Sequence, residues 1–188
     1  MKALLLLMLT VLSFTAHAGF LFHYGLNYSS QKDDTTGGDF EQQRTFHKLY
    51  LGASVNNNRT LYFGWNINSW SSTIQQGTAP ENKYSLLEMG PKLVWFMNEE
   101  FNWYLSGEWN PYARGDRERA AIKRDISGSS LAVGLGYRFR LSRMLGLGAS
   151  IHYHNLSIDE EKIASSESNV SDSLTNIMPM LEFSLITK

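Results

Sequence analysis

The sequence contains no cysteine, so disulfides cannot stabilise the chain and its stability must come from burial and hydrogen bonding. Prolines are few, and positive and negative charges nearly balance, which gives the chain no general attraction for nucleic acid. After residue 18 the sequence has no run of about 20 apolar residues, and this excludes membrane-spanning helices. Insertion as a β-barrel stays open, because a closed barrel pairs its backbone groups without such a run.

The N-terminal residues MKALLLLMLTVLSFTAHA combine Lys2, an apolar run over Ala3–Val11, and Ala16 and Ala18 in an A-x-A cleavage pattern. These are the three parts of a secretory signal peptide. The apolar run is too short to serve as an anchor across about 30 Å of hydrocarbon. We therefore predict a signal peptide over residues 1–18 and a single domain over residues 19–188.

Apolar and polar side chains alternate with a period of two through most of residues 19–188, which indicates β-strands. Each alternating segment has about the length that a tilted strand needs to cross a bilayer. The eight segments are Phe20–Ser29, Thr45–Val55, Thr60–Trp70, Tyr84–Phe96, Phe101–Asn110, Ser129–Leu141, Met144–His154 and Leu174–Thr187.

The connections between these segments alternate in length. Short turns are expected at Asn56–Arg59, at Met97–Glu100 and around Ser142. Long polar loops are expected at Gln31–Gln43, Ser71–Lys83, Pro111–Ser127 and Asn155–Ser173. Short periplasmic turns alternating with long extracellular loops are typical of bacterial transmembrane barrels.

The direction of the apolar faces distinguishes a soluble barrel from a membrane barrel. A soluble, ligand-binding barrel would turn them inward, but the indole rings on them would overfill a small lumen. Aromatic residues also gather toward both ends of the segments, as at the two membrane interfaces. The indole rings belong to Trp65, Trp95, Trp103 and Trp109. We therefore predict an all-β fold, an eight-stranded antiparallel up-and-down transmembrane β-barrel with its apolar faces toward lipid.

This orientation turns charged side chains into the lumen, including Glu88 and Lys92 inside the otherwise apolar segment YSLLEMGPKLVWF. An isolated buried charge is costly, and the set is nearly balanced in sign, so we predict an interior ion-pair network. An eight-stranded barrel is just wide enough for side chains to fill, which predicts a plugged cylinder. The network is expected to comprise Lys48, Glu88, Lys92, Glu108, Arg138, Arg140 and Glu182.

The leader, the strand count, the asymmetric connections and the aromatic belts together resemble the small eight-stranded outer-membrane β-barrels of Gram-negative bacteria, the OmpA/OmpX-type architecture. The resemblance covers residues 19–188 and involves no diagnostic local motif. It implies a place in the bacterial outer membrane, contact with outer-membrane lipids and lipopolysaccharide, and insertion by the outer-membrane assembly machinery. Two features depart from it: the chain ends in Thr187-Lys188 instead of an aromatic residue, and Pro91 and Pro179 predict bulges in strands.

The stretch SIHYHNLS carries the sharpest candidate chemistry. Lipid A deacylases are also eight-stranded, and their late strand has a catalytic His followed two residues later by Ser. The resemblance would make His152 the catalytic residue, with Glu182 orienting it, but His154 stands where the hydroxyl nucleophile is expected. His152, His154 and His23 also form a weak candidate metal site. We predict lumen packing for these residues, with no metal or other cofactor.

The function predicted from the sequence is a structural or surface-interaction role through extracellular loops, with a surface ligand that the sequence does not identify. A lipid-modifying enzyme that uses His152 is the alternative, and a narrow, porin-like channel is a further one. The predicted loop Pro111–Ser127 is basic and Asn155–Ser173 is acidic. These two loops could pair with each other, or the basic one could bind lipopolysaccharide phosphates.

Overall fold

The computed structural model describes residues 19–33, 39–163 and 166–187; the predicted signal peptide lies outside them. Eight antiparallel strands follow one another around a closed barrel, in which β1 pairs with β8. The strands are β1 (Phe20–Asp33), β2 (Phe40–Ser54), β3 (Leu61–Gln76), β4 (Asn82–Phe96), β5 (Trp103–Arg119), β6 (Ile122–Arg140), β7 (Leu145–Ile163) and β8 (Ser166–Ile186). The described residues include no helix that is long and apolar enough to cross a membrane. The strand order and the pairing of β1 with β8 confirm the predicted up-and-down barrel.

The apolar face of each strand points outward, as the alternation predicted. In β4, Leu93 is 42% exposed and Trp95 is 48% exposed, whereas Glu88 and Lys92 on the opposite face are almost fully buried. Because side chains alternate across a strand, this places one complete face of each strand on the barrel wall. The exposed apolar side chains form a continuous outer belt, from Leu87 to Trp95 on β4 and from Leu131 to Phe139 on β6.

The connections at the two ends of the barrel differ, but not in the predicted way. The short turns are present, and the Asn56 side chain closes the first of them by accepting a hydrogen bond from Leu61 N at 3.0 Å. The segments predicted as long loops are mostly paired strand. Two neighbouring strands can continue past the belt because they still satisfy each other's backbone groups there. The β5–β6 hairpin, for example, leaves only Ala120 and Ala121 between its strands.

We call the parts of the hairpins beyond the outer belt the surface lobe, which comprises residues 29–33, 39–45, 71–85, 113–129, 155–163 and 166–175. Its outward side chains are polar or charged, unlike those of the belt below it. Ser71 and Ser85, for example, face each other across β3 and β4. The change from apolar to polar on one strand face indicates where the lipid-facing surface ends.

Three prolines lie inside strands, Pro91 and Pro179 as expected and also Pro111 of β5, and they differ in their effect on pairing. The pairing of β4 with β5 shifts in register between Met89 and Lys92, but the extra residue lies on β5, in the stretch that contains Pro111. The pairing of β5 with β6 shifts at the same place, so the bulge predicted at Pro91 is instead in the strand opposite it. Pro179 stays in register with Ile151 of β7, and the bulge predicted there is absent. Instead, the pairing of β8 with β1 covers only the stretch from Leu181 to Ile186, so it ends just before Pro179 among the described residues.

The interior is stacked in three layers along the barrel axis. An apolar cluster fills the end with the short turns: Leu21, Tyr50, Tyr62, Val94, Phe96, Phe101, Tyr104 and Ile186. A second apolar cluster lies toward the surface lobe: Phe46, Trp70, Tyr84, Leu86, Ala113, Ile126, Leu156, Ile158, Met178 and Met180. Between them lies a polar layer that holds most of the buried charged side chains. Both ends of this layer are closed by large side chains.

Candidate functional site

The polar layer is built from inward-facing positions of the strands, and this places charges from distant parts of the sequence within contact distance. Six of the seven predicted network residues are buried, each at most 5% exposed: Lys48, Glu88, Lys92, Glu108, Arg138 and Glu182. Three carboxylates, one on each of β4, β5 and β8, organise the contacts.

Glu108 on β5 is paired with two ammonium groups. Its Oε1 lies 3.0 Å from Lys48 Nζ, and its Oε2 lies 3.5 Å from Lys92 Nζ. Asn68 Nδ2 donates a further hydrogen bond to Oε1 at 3.0 Å. A buried carboxylate needs such partners, because its desolvation is repaid only by several favourable contacts.

Glu88 on β4 has one imidazole and three neutral donors around it, the most distant being Asn110 Nδ2 at 3.5 Å from Oε2. His154 Nε2 lies 3.0 Å from Oε2, and Ser130 Oγ donates to the same oxygen at 2.8 Å. Trp70 Nε1 donates to Oε1 at 2.8 Å. The carboxylate of Glu88, inside the otherwise apolar segment of β4, is therefore satisfied by side chains inside the barrel.

Glu182 on β8 collects the remaining partners. His23 Nε2 lies 3.0 Å from its Oε2, and Tyr104 donates a hydrogen bond to that oxygen. Ser150 Oγ donates to Oε1 at 2.5 Å, and His152 Nε2 lies 3.4 Å from the same atom. The carboxylate thus connects β1, β5 and β7 across the lumen.

The contacts of His152 bear directly on the enzyme alternative. Its Nδ1 lies 3.3 Å from Lys48 Nζ, and an ammonium group can only donate, so Nδ1 must accept. In a neutral imidazole the proton then sits on Nε2, which faces Ser150 Oγ at 3.0 Å. A nitrogen that carries a proton cannot take one from Ser150, so this arrangement does not activate a nucleophile. His152 is held as a donor within the network.

His154 and His23 do not join His152 in a metal-binding arrangement. His152 and His23 contact Glu182, whereas His154 contacts Glu88. Among the described residues, no group of three or more His, Cys, Asp or Glu side chains could hold a metal ion. The three imidazoles are distributed between two carboxylates.

The two arginines predicted for the network lie apart from it. Arg138 is buried, but it donates to Ser184 Oγ at 2.6 Å and to the Met144 carbonyl at 3.1 Å. Arg140 corrects the sequence-based assignment: its side chain is exposed at the short-turn end, where Nε donates to the Ser142 carbonyl at 3.2 Å. It occupies the last position of β6, where the alternating face passes beyond the closed interior.

Glycines on the inward face make room for the large side chains of the interior. A Cβ at Gly136 would lie 2.2 Å from the Tyr104 ring, and one at Gly134 would lie 2.4 Å from the His152 ring. Gly52 does the same for the Tyr50 ring. The small residues of these faces are therefore explained by packing, without a substrate groove.

In the surface lobe, the hairpins predicted to be basic and acidic pair with each other. Arg117 lies 3.5 Å from Asp172, and Arg124 lies 3.0 Å from Glu161. Within the β5–β6 hairpin, Lys123 lies 2.9 Å from Asp116, and this hydrogen bond is the main cause that raises the pKa of Lys123 above its ordinary value. The Arg117–Asp172 and Arg124–Glu161 contacts join the β5–β6 hairpin to the β7–β8 hairpin above the belt.

Several partners of the network could not be singled out from the sequence. Trp70, Ser130 and Asn68 are uncharged and lie on the same inward faces as many residues without such roles. Their only signal is the alternation that turns them inward. Which inward residue meets which carboxylate depends on the register between strands, and the sequence does not show the register.

No protein-family model matches the sequence, and no curated protein matches it. Among solved structures, the barrel is similar to Neisserial surface protein A (NspA), with a TM-score of 0.50 and 14% identity, over 90% of this chain and 96% of that chain. It is also similar to Ail of Yersinia pestis, with a TM-score of 0.44 and 13% identity, over 90% of this chain and 96% of that chain. At such identities the likeness to NspA shows the fold alone. The predicted OmpA/OmpX-type architecture is confirmed.

Proposed function

We propose that the protein is a bacterial outer-membrane barrel that acts at the cell surface, where its surface lobe binds an extended peptide segment of a partner protein. In this proposal, residues 1–18 direct export, the outer-membrane assembly machinery inserts the barrel, and outer-membrane lipids and lipopolysaccharide surround it. The filled interior supports an anchoring role in preference to transport. The donor state of His152 likewise supports a structural role in preference to lipid hydrolysis.

The open edge of β8 in the surface lobe carries this proposal. Above Leu181, the described residues of β8 pair with β7 but not with β1. Natural sheets protect exposed edges with Lys, Pro or bulges. The stretch 173–177 of β8 has the sequence SLTNI, with neither Lys nor Pro, and the register shift of β8 against β7 lies outside it, between Asn169 and Asp172.

Hydrogen bonds at the base of β8 show which of its backbone groups face the open side. Ile186 donates its N–H to the Met144 carbonyl, on the β7 side, and Thr187 donates to the Phe20 carbonyl of β1. Because backbone groups alternate sides along an antiparallel strand, odd-numbered residues of this part of β8 face β1. On this side the Pro179 carbonyl accepts from Asn27 at 2.6 Å and the Ile177 carbonyl accepts from Arg44 at 3.3 Å. Thr175 and Ser173 lie beyond them, and there an extended peptide can add as a further strand.

The orientation can be tested on intact bacteria with a membrane-impermeant amine reagent. The side chains of Lys83 and Lys123 in the surface lobe are 52% and 64% exposed, whereas those of Lys48 and Lys92 are almost fully buried. We expect labelling of the first pair on whole cells and no labelling of the second pair. Labelling of Lys83 and Lys123 only after cell lysis would contradict a surface location.

The open edge can be tested with a phage-displayed library of random peptides, selected on the barrel in lipid nanodiscs. We expect enriched peptides to lose at least tenfold in affinity for Ser173→Pro, which removes one edge-facing N–H and leaves the β7 ladder intact. Ser173→Ala is the matched control, because it removes the hydroxyl but keeps the N–H. Equal binding to both variants would overturn the strand-addition proposal and leave the surface location standing.

A further inference from the structure

An apolar groove of about 540 Å³ runs obliquely across the outer wall of the barrel, from β5 to β1. It lies on the lipid-facing belt, outside the polar layer, and no charged side chain lines it. Its volume falls in the range of sites that bind small molecules. The belt on either side of it carries large side chains, so the groove interrupts an otherwise filled surface.

Two neighbouring rows of cross-strand partners form the groove. The lower row consists of directly paired residues: Trp103, Tyr137, Ala149, Leu181 and Leu26. Ala149 is its only small member, so the wall is recessed at β7, between larger side chains on both sides. The upper row contains Leu135, Ile151 and Pro179, and Tyr28 lies beyond them across the seam.

The dimensions of the groove restrict what can occupy it. Its five strands span about 19 Å, since neighbouring strands lie about 4.8 Å apart. Its width is about 7 Å, which is the distance along a strand from one residue to the next residue on the same face. A helix is about 10–12 Å in diameter and would not enter, and a second barrel would present a convex wall. A single extended hydrocarbon chain fits, and it is also what the surrounding belt contacts.

The two ends of the groove differ. At the short-turn end, Trp103 packs edge-to-face against Tyr137 at 4.8 Å, and Tyr137 packs against Phe139 at 4.7 Å, which closes the groove. At the other end, the pairing of β1 with β8 stops and Asn27 Nδ2 donates to the Pro179 carbonyl at 2.6 Å in its place. The groove therefore opens toward the surface lobe.

A cation lies above this opening. Lys32 is exposed on the same face of β1 as Tyr28 and lies four residues farther from the belt. Its cross-strand partner is Glu41 of β2, whose Oε1 accepts a hydrogen bond from Gln43 at 3.3 Å. In the proposal, the Lys32 ammonium group meets the anionic headgroup of a lipid whose acyl chain lies in the groove. Lipopolysaccharide combines phosphate groups with several acyl chains and occupies the leaflet on the lobe side in the proposed orientation.

We propose that the groove binds one acyl chain of lipopolysaccharide, which enters at the β1–β8 seam while Lys32 contacts a phosphate. The inference rests on the proposed outer-membrane orientation, but not on peptide binding by the surface lobe. It assigns a specific lipid site to a wall that would otherwise contact lipids without preference.

Native mass spectrometry of the barrel, extracted from outer membranes in a mild detergent, tests this proposal. We expect the wild type to retain one lipopolysaccharide molecule, and Ala149→Trp, which fills the recess, to lower its occupancy at least tenfold. Ala53→Trp is the matched control, because Ala53 also lies on the outer face of a strand but does not line the groove. Ala149→Leu serves if the larger substitution prevents folding, which is checked by heat-sensitive electrophoretic mobility.

A charge substitution outside the belt gives a second test of lipopolysaccharide binding. We expect Lys32→Glu to lower lipopolysaccharide retention several-fold, whereas Lys83→Glu, at a distant hairpin, leaves it unchanged. A wild type that retains no lipid, retains phospholipid alone, or forms a lipid-free dimer would overturn the proposal. So would equal retention by Ala149→Trp and Ala53→Trp. Each of these results leaves the outer-membrane location intact, because extraction would still require detergent.

Discussion

At the scale of single residues, Glu108 is the clearest example of why charge can be buried in this barrel. Its two oxygens face two different ammonium groups, on β2 and β4, so the carboxylate compensates both. Removing one member of such a set is far more costly than removing the whole set, because it leaves a buried charge without a partner. The polar layer is therefore a mutually dependent unit.

We expect Glu108→Gln to destabilise the barrel by about 3–5 kcal/mol, because Lys48 and Lys92 would then share the interior without a carboxylate between them. Urea unfolding in phospholipid vesicles, followed by tryptophan fluorescence, measures the change. Glu118→Gln, on the exposed part of β5, is the control and should shift stability by less than about 0.5 kcal/mol. Similar losses in both variants would show that the lumen pairs contribute little.

Gly136 offers a test of packing that does not involve charge. We expect Gly136→Ala to destabilise the barrel by about 1–3 kcal/mol, since the new methyl group would overlap the Tyr104 ring. Gly107→Ala is the control, because no atom lies within 4 Å of a Cβ at Gly107. The same unfolding experiment compares them. If both substitutions had the same effect, backbone propensity and not the Tyr104 ring would explain the loss.

At the scale of elements, the membrane-crossing strands could be predicted from the sequence and their extensions could not. Alternation is visible in Leu131–Phe139 because one face meets lipid and the other meets a polar lumen. In the surface lobe the outward face is polar and apolar side chains on the inward face are sparse, as in the stretch 166–175 with only Val170 and Leu174, so the same backbone conformation leaves little periodic signal. The predicted long loops were wrong for this reason.

The β5–β6 hairpin turn provides a prediction about one element. Ala120 and Ala121 have φ values of 51° and 61°, in the left-handed region, which costs roughly 1–2 kcal/mol for a residue with a Cβ. We expect replacement of Ala120-Ala121 by Asn-Gly, the preferred pair for such turns, to slow hydrogen exchange of the hairpin amides several-fold. Ala79→Gly, at a tip residue without left-handed φ, should give no protection. Unchanged exchange in the Asn-Gly variant would contradict the assigned turn.

The sequence could predict most of the charged residues that belong to the candidate site, but not which of them contact each other. Inward alternation places Glu88, Lys92 and Glu108 in the interior, where they lie. It does not show that Glu108 faces Lys92 while Glu88 faces His154, because this depends on the stagger of β4, β5 and β7. Arg140 was misassigned because the alternation of β6 continues to the last residue of the strand, beyond the end of the closed interior.

At the scale of the whole molecule, the three interior layers bear on the channel alternative. Apolar clusters close the polar layer at both ends, and the small cavity beside His23 and Glu182 holds only about 10 Å³. We expect no stepwise conductance when the purified barrel is added to planar lipid bilayers. Reproducible conductance steps that change with Glu88→Gln or Lys92→Met would contradict the layered interior and favour a narrow channel.

The apolar cluster at the short-turn end lies far from the surface lobe, and none of its members belongs to a protruding hairpin. In the proposed orientation, an extracellular protease that trimmed the hairpins would leave this end of the barrel closed. The same separation would let the sequence of the lobe vary without opening the interior of the barrel.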